Sequence, residues 1–268
     1  MVVDSDWIIT DANAKDFAQQ AVNDGRSCGL IPRNWGTHHL GCMAAAPAMP
    51  NDLLIPREEW RERLADQQAT KSDLLTLRGE SWIGGRLDSL DQDGYGYCWF
   101  FSITKACMYA LARAGTPAVL SGWGAAFVKG FRNEGGMNLD AVKYITEEGI
   151  PLLSEMPGPK RIYDTPALHE KMRKRKLVEF WEGGGMDKEQ NLKVMVTGFL
   201  LGYPLALDYL DIGHSMCGVK LVSLDPLTVD CDNSWTNSAG NNGIYRRTGQ
   251  SAIPDAVTVV RSINPILP

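Results

Sequence analysis

Read from the amino end, helical spacing of apolar residues comes first along this chain and strand-like runs follow. Residues 11–22 read as a short helix with Asp11 as its cap. Glycine, proline and alanine then dominate from 25 to 56, which predicts a loop. Residues 57–77 predict a charged helix, although its apolar positions (Trp60, Leu64, Leu74, Leu75) are irregularly spaced. An apolar helix is expected from Cys98 to about Ala114, stopped by Gly115 and Pro117, and a second over 138–148, ended by Gly149. After Gly183-Gly184-Gly185 a helix near 189–201 leads into strands around 205–209, 215–221, 227–232, 243–247 and 256–263. Helices first and an antiparallel sheet after predict an α+β chain of two lobes with a cleft between them. The helical lobe is expected over about 85–185 and the β lobe over about 186–265, with residues 1–80 an amino-terminal extension to a domain of 81–268.

Composition narrows the functional classes. With 268 residues, 44% of them hydrophobic, the chain can bury a sizeable core. A formal charge of −5 offers no basic face to a polyanion, so no nucleic-acid partner is expected. The one dense basic run, Lys171 to Lys176, reads as a solvated helix face. No apolar run reaches membrane-spanning length, and the acidic start, Met1-Val2-Val3-Asp4-Ser5-Asp6, lacks the pattern of a secretory signal. The expectation is a cytoplasmic protein without membrane association.

The most informative chemistry surrounds Cys98. It ends a glycine-loosened turn, Gln92-Asp93-Gly94-Tyr95-Gly96-Tyr97, and opens the apolar helix. A thiol at the positive end of a helix is biased toward thiolate. Downstream come Gly213-His214-Ser215 and then Asn233-Ser234-Trp235. Cysteine, histidine and asparagine in that order can build a nucleophilic acyl-transfer site. His38, His39 and His169 lack a comparable setting.

These residues carry a family resemblance. The run Gln92–Ser102, with Gln six positions before Cys98 and Trp99 after it, resembles the active-site signature of papain-like (C1-type) cysteine peptidases. Asn133-Glu134-Gly135-Gly136, followed by Ala141, Tyr144 and Glu148-Gly149-Ile150, resembles that family's Gly-Gly segment. Asn233-Ser234-Trp235, then Gly240 and Asn242-Gly243-Ile244-Tyr245, resembles the stretch bearing its catalytic asparagine and shielding tryptophan. The likeness spans about 85–262.

The resemblance implies a papain-like two-lobed fold and a thiol protease that hydrolyses peptide bonds through an acyl-enzyme, with no cofactor. It makes Cys98 the nucleophile, His214 the general base, Asn233 the residue that orients the imidazole, and Gln92 an oxyanion donor together with the Cys98 N–H. Gly135, Gly136 and Trp235 form the expected substrate-binding set, the glycines admitting a peptide backbone as an added strand. A thiolate–imidazolium pair is expected between Cys98 and His214.

Departures from the family pattern shape the remaining expectations. Tyr95 and Asn133 stand where secreted relatives carry a bridging disulfide, which fits a reducing compartment. Tyr95 and Tyr97 put bulky rings beside the nucleophile's turn and predict a narrowed cleft. Cys107 and Cys217 read as small buried hydrophobes. Cys28, His38, His39 and Cys42 include zinc's usual ligand types, but their spacing lacks the paired Cys-x2-Cys, so no metal is expected. The extension is either prosegment-like or a lasting structural part. That leaves a second reading: a papain-like assembly protein of a larger complex, such as a virus-like particle, binding partners through residues 1–80 with its chemistry dormant.

Overall fold

The computed structural model describes residues 7–33, 47–78, 81–82, 85–86, 88–183, 185 and 187–264, and these are built around one helix that is apolar on every side. In chain order the elements are β1 (Ile8–Ile9), α1 (Ala14–Asn23), α2 (Trp60–Thr70), β2 (Ser81–Trp82), β3 (Gly85–Arg86), α3 (Cys98–Arg113), α4 (Ala125–Val128), α5 (Asn138–Glu147), α6 (Pro166–Met172), β4 (Leu177–Glu182), α7 (Lys188–Leu200), β5 (Leu205–Tyr209), β6 (His214–Leu224), β7 (Leu227–Asp232), β8 (Ile244–Thr248) and β9 (Ala256–Ile263). A seven-stranded sheet runs β1-β8-β7-β6-β5-β9-β4, and among the described residues β2 and β3 form a separate two-stranded sheet. The seven strands are antiparallel to their neighbours except β1, which lies parallel to β8.

Helix α3 is the central element. Every residue from Cys98 to Leu111 is buried, as a helix without a polar face must be. No glycine or proline interrupts it, and Gly115, at a left-handed φ of 76°, lets the chain turn away after it. It packs on β6 and β9 and against α5. Strand β5 is buried along its whole length: Ala206 faces the cluster around α3, while Leu205, Leu207 and Tyr209 face a second cluster around α7. The architecture is therefore the expected α+β arrangement, helices on one side of the turn before Cys98 and a mainly antiparallel sheet on the other.

The first eighty residues contribute directly to this core. Ile9, Trp60 and Leu64 are buried in the same cluster as Val194, Met195 and Phe199 of α7. Gln67, also buried, donates from Nε2 to the Phe199 carbonyl at 2.7 Å. The helix expected over 57–77 is broken into pieces. Helix α2 stops where Lys71 turns left-handed (φ 50°), and the Asp73 carboxylate caps a separate 3₁₀ turn by accepting from the Leu75 amide. Asp11 does not cap α1. Its carboxylate accepts from the Gln250 and Ser251 amides, and Asn13 directly precedes the helix.

Six elements were not expected from the sequence: β1, β2, β3, α4, α6 and β4. The basic run is also not wholly solvated, because Arg175 is buried and pairs with Glu155 and the Ile150 carbonyl. Among the described residues no helix is long and apolar enough to cross a membrane. Of the zinc-type residues, Cys28 is described, whereas His38, His39 and Cys42 lie outside the described residues.

Candidate active site

Cys98 is the first residue of α3, so its side chain starts where the helix leaves its amide groups without partners. The turn before it is braced from two directions. Asn133 Oδ1 accepts from the Gly96 amide at 2.7 Å, tying together the two loops where the family's disulfide was expected to be missing. Tyr95 and Tyr97 fold against Trp123, and Tyr97 donates its hydroxyl proton to the Arg132 carbonyl. Their rings are thus committed to the helical side.

The opposite wall is β6 and the loop after β7. His214 opens β6, and Asn233 follows β7 directly. Asn233 Oδ1 lies 2.7 Å from His214 Nε2 and also accepts from the Ser234 amide at 2.7 Å. The second bond fixes which end of the amide is oxygen, so His214 donates from Nε2 and its proton-free nitrogen is Nδ1. Nδ1 is buried and has no hydrogen-bond partner. Trp235 stacks on a face of the imidazole, centroids 4.5 Å apart. Asp232, just before Asn233, accepts from Ser89 Oγ and Tyr109 and pairs with the buried Lys105, so α3 itself anchors this loop.

The two walls meet at a polar seam in which Ser215 Oγ donates to Ser102 Oγ at 2.8 Å, with Asn138 Oδ1 beside both. The amide of Ser215, one residue after His214, approaches the Cys98 sulfur. No hydrogen bond joins the sulfur to either ring nitrogen, and both side chains are fully buried. Burial pushes the Cys98 thiol up to about 12, opposed by the Ser215 and Gly29 amides. Burial pushes His214 down to about 4, partly offset by its bond to Asn233. Burial thus disfavours the charged form of both groups in this covered cleft, against the expected thiolate–imidazolium pair. Desolvation outweighs the helix terminus here.

The cover is the chain's own residues 27–31. Gly136 donates to the Gly29 carbonyl and accepts from the Ile31 amide, both at 2.9 Å, as a parallel bridge centred on Leu30. On the opposite wall the Leu30 amide donates to the Gly213 carbonyl at 3.0 Å. Gln92, fully buried, donates from Nε2 to the Ser27 carbonyl at 2.7 Å, while its Oε1 accepts from Ser234 Oγ. A Cβ on Gly135 would lie 2.4 Å from the Gly29 carbonyl oxygen, and one on Gly136 would lie 2.5 Å from the Trp99 ring. These two glycines leave the groove narrow enough for backbone alone.

The structure thus gathers Cys98, His214, Asn233, Gln92, Gly136 and Trp235 around one groove, with Gly135 at its edge. Residues 27–31 and Asp208 were missed by sequence reasoning. The former sit in a stretch that reads as featureless loop, and a strip held by main-chain bonds has no side-chain signature.

No family model matches the chain, and no curated protein sequence matches it. Solved structures do. Xylellain, a cysteine protease from Xylella fastidiosa, superposes with a TM-score of 0.58 at 12% identity, covering 90% of this chain and 98% of its own. Digestive procathepsin L 3 from the larval midgut of Tenebrio molitor superposes with a TM-score of 0.52 at 17% identity, covering 69% of this chain and 67% of its own. At such identity the likeness concerns backbone architecture: the chain has the papain-like α+β fold.

Proposed function

We propose that this chain is a cysteine peptidase held in a blocked state by its own residues 27–31. The observation that carries the reading is the strip itself. A length of peptide backbone lies between the two walls, bonded to Gly136 on one side and Gly213 on the other, with one carbonyl on the Gln92 amide. The Gly29 amide of the strip reaches the Cys98 sulfur, so the strip itself occupies the groove beside it.

With the strip displaced, water regains the groove and the desolvation that disfavours both charged forms is lifted. The helix terminus and the imidazole then favour proton transfer from Cys98 Sγ to His214 Nδ1. The thiolate attacks a peptide carbonyl carbon, and the oxyanion is met by Gln92 Nε2 and the Cys98 amide. One such donor supports about 2.7–4 kcal/mol of transition-state stabilisation. His214 returns its proton to the leaving amine, and an acyl-enzyme remains. A water, deprotonated by His214, releases the acid. Asn233 keeps Nδ1 turned toward the sulfur throughout, and Trp235 keeps water from the Asn233–His214 bond. Residues 1–80 combine this cover with part of the core, so opening requires local withdrawal of the strip and not loss of the whole extension.

A library of short peptides incubated with a strip-displaced variant, Gly29→Val, tests this by mass spectrometry. The expected result is cleavage that disappears in Gly29→Val/Cys98→Ala. A library left intact by a folded Gly29→Val protein would instead favour the assembly-protein reading.

A further inference from the structure

Beside the strip, a cavity opens under the backbone that pairs with Gly136. Leu30, Ile31 and Arg33 line it from above, and with them in place only about 30 Å³ remains, room for a single water. Met137, Leu210 and Ala256 supply apolar walls. Apart from Arg33 its charged lining is acidic, Asp208, Glu182 and Asp255, with Asn138 and Thr258 as neutral polar neighbours. Asp255 is already engaged, pairing with Lys188 and accepting from the Leu210 amide.

Asp208 and Glu182 are the informative pair. Asp208 is 8% exposed, and its Oδ1 is buried without a hydrogen-bond partner. A carboxylate in that condition costs stability unless something cationic or proton-donating meets it. Glu182 is 7% exposed and is met by a cation, since Arg33 of the covering segment reaches it at 2.6 Å. The chain's own cover therefore delivers a guanidinium to this cavity. Burial raises the Asp208 carboxyl to about 7; Glu182 and Asp255 add to the rise, while Ser215 and Arg33 oppose it.

We infer that this cavity is a side-chain pocket of the peptide groove and that it selects arginine or lysine. The inference rests on the peptidase reading for its function, though not for its binding. A peptide that takes the strip's place against Gly136 lays its side chains over the same opening. A long aliphatic stem fits the walls of Met137, Leu210 and Ala256, and a cationic head reaches Asp208 and Glu182 once Arg33 has left. A neutral side chain would leave both carboxylates buried and unmatched, which sets the selectivity.

The test uses the full chain carrying Gly29→Val, to displace the strip, Cys98→Ala, to prevent turnover, and Arg33→Ala, to remove the internal cation. Fluorescent hexapeptide amides are scanned with arginine or its neutral isostere citrulline at each position, and binding is read by anisotropy. At one position arginine should bind about tenfold tighter or more, and Asp208→Asn should bring the ratio to within about twofold. Equal binding of arginine and citrulline peptides at every position, or no binding of either, would overturn the pocket, as would a preference that survives Asp208→Asn combined with Glu182→Gln. Failure of the peptidase reading looks different: the preference persists while the Cys98-bearing, strip-displaced protein cleaves nothing.

Discussion

The two walls of the groove are in different states of readiness. On the sheet wall, His214 already donates to Asn233, Trp235 lies on the ring, and Nδ1 stands unbonded. On the helix wall, Cys98 is buried under the chain's own backbone, with its thiol up to about 12. On the proposed reading, the blocked state comes from covering the groove and not from dismantling a site: His214 keeps its bond to Asn233 while both it and Cys98 are buried.

The largest effect should come from removing the cover. A Cβ on Gly29 would lie 2.1 Å from the Gly96 carbonyl oxygen, so Gly29→Val forces the strip out. Iodoacetamide labelling of Cys98 at pH 7, followed by mass spectrometry, should then rise by roughly a thousandfold, because the buried thiol holds very little thiolate at that pH. In the covered wild type, labelling should keep climbing with pH beyond the range in which free cysteine levels off.

A smaller effect separates charge from cover. Asp208, raised from 3.8 to about 7, lets the unfolded state release a proton first as pH rises between those values, so its burial lowers stability across that window. Asp208→Asn should therefore be more stable than wild type by about 2–4 kcal/mol at pH 8 and no more stable at pH 3.5. His214 has the opposite sign. Its pKa falls from 6.5 to about 4, so its contribution is present above 6.5 and is lost as pH drops to 4. Urea denaturation at several pH values would resolve both slopes.

On the sheet wall, Asn233→Ala in the uncovered background should slow Cys98 labelling at pH 6 by about 10–100-fold through loss of imidazole orientation, a change of about 1.4–2.7 kcal/mol. The smallest effect belongs to the helix wall's brace. Asn133→Ala should cost about 1 kcal/mol in thermal or urea unfolding, the typical net worth of a lost hydrogen bond. A much larger loss would mean that the Asn133 side chain does more than join two loops.

How much of this was legible in the sequence follows from which groups make each contact. Helix α3 was legible because apolar residues dominate it from its first turn and glycines precede it. The strands from β5 to β9 were found for similar reasons, to within a few residues at their ends. Cys98, His214, Asn233 and Gln92 stood out because their types and order carry chemistry. Strand β4 was not seen, since register shifts against β9 break the alternation that would announce it. The cover was hidden for a deeper reason: Ser27, Gly29, Leu30 and Ile31 act through amides and carbonyls, which every residue has. Asp208 looked like an ordinary polar residue in a strand, and only three dimensions reveal its buried, unmatched oxygen. Arg175, within a basic run, pairs with Glu155 across a gap in sequence that no local pattern spans.

The most direct measurement compares the labelling rate of Cys98 at pH 6 in three full-length proteins: wild type, Gly29→Val, and Gly29→Val with His214→Ala. A slow first, a fast second and a slow third would mean that an intact thiol–imidazole pair waits beneath the strip. Equal slow rates in a folded Gly29→Val protein, or a fast rate that survives His214→Ala, would contradict it.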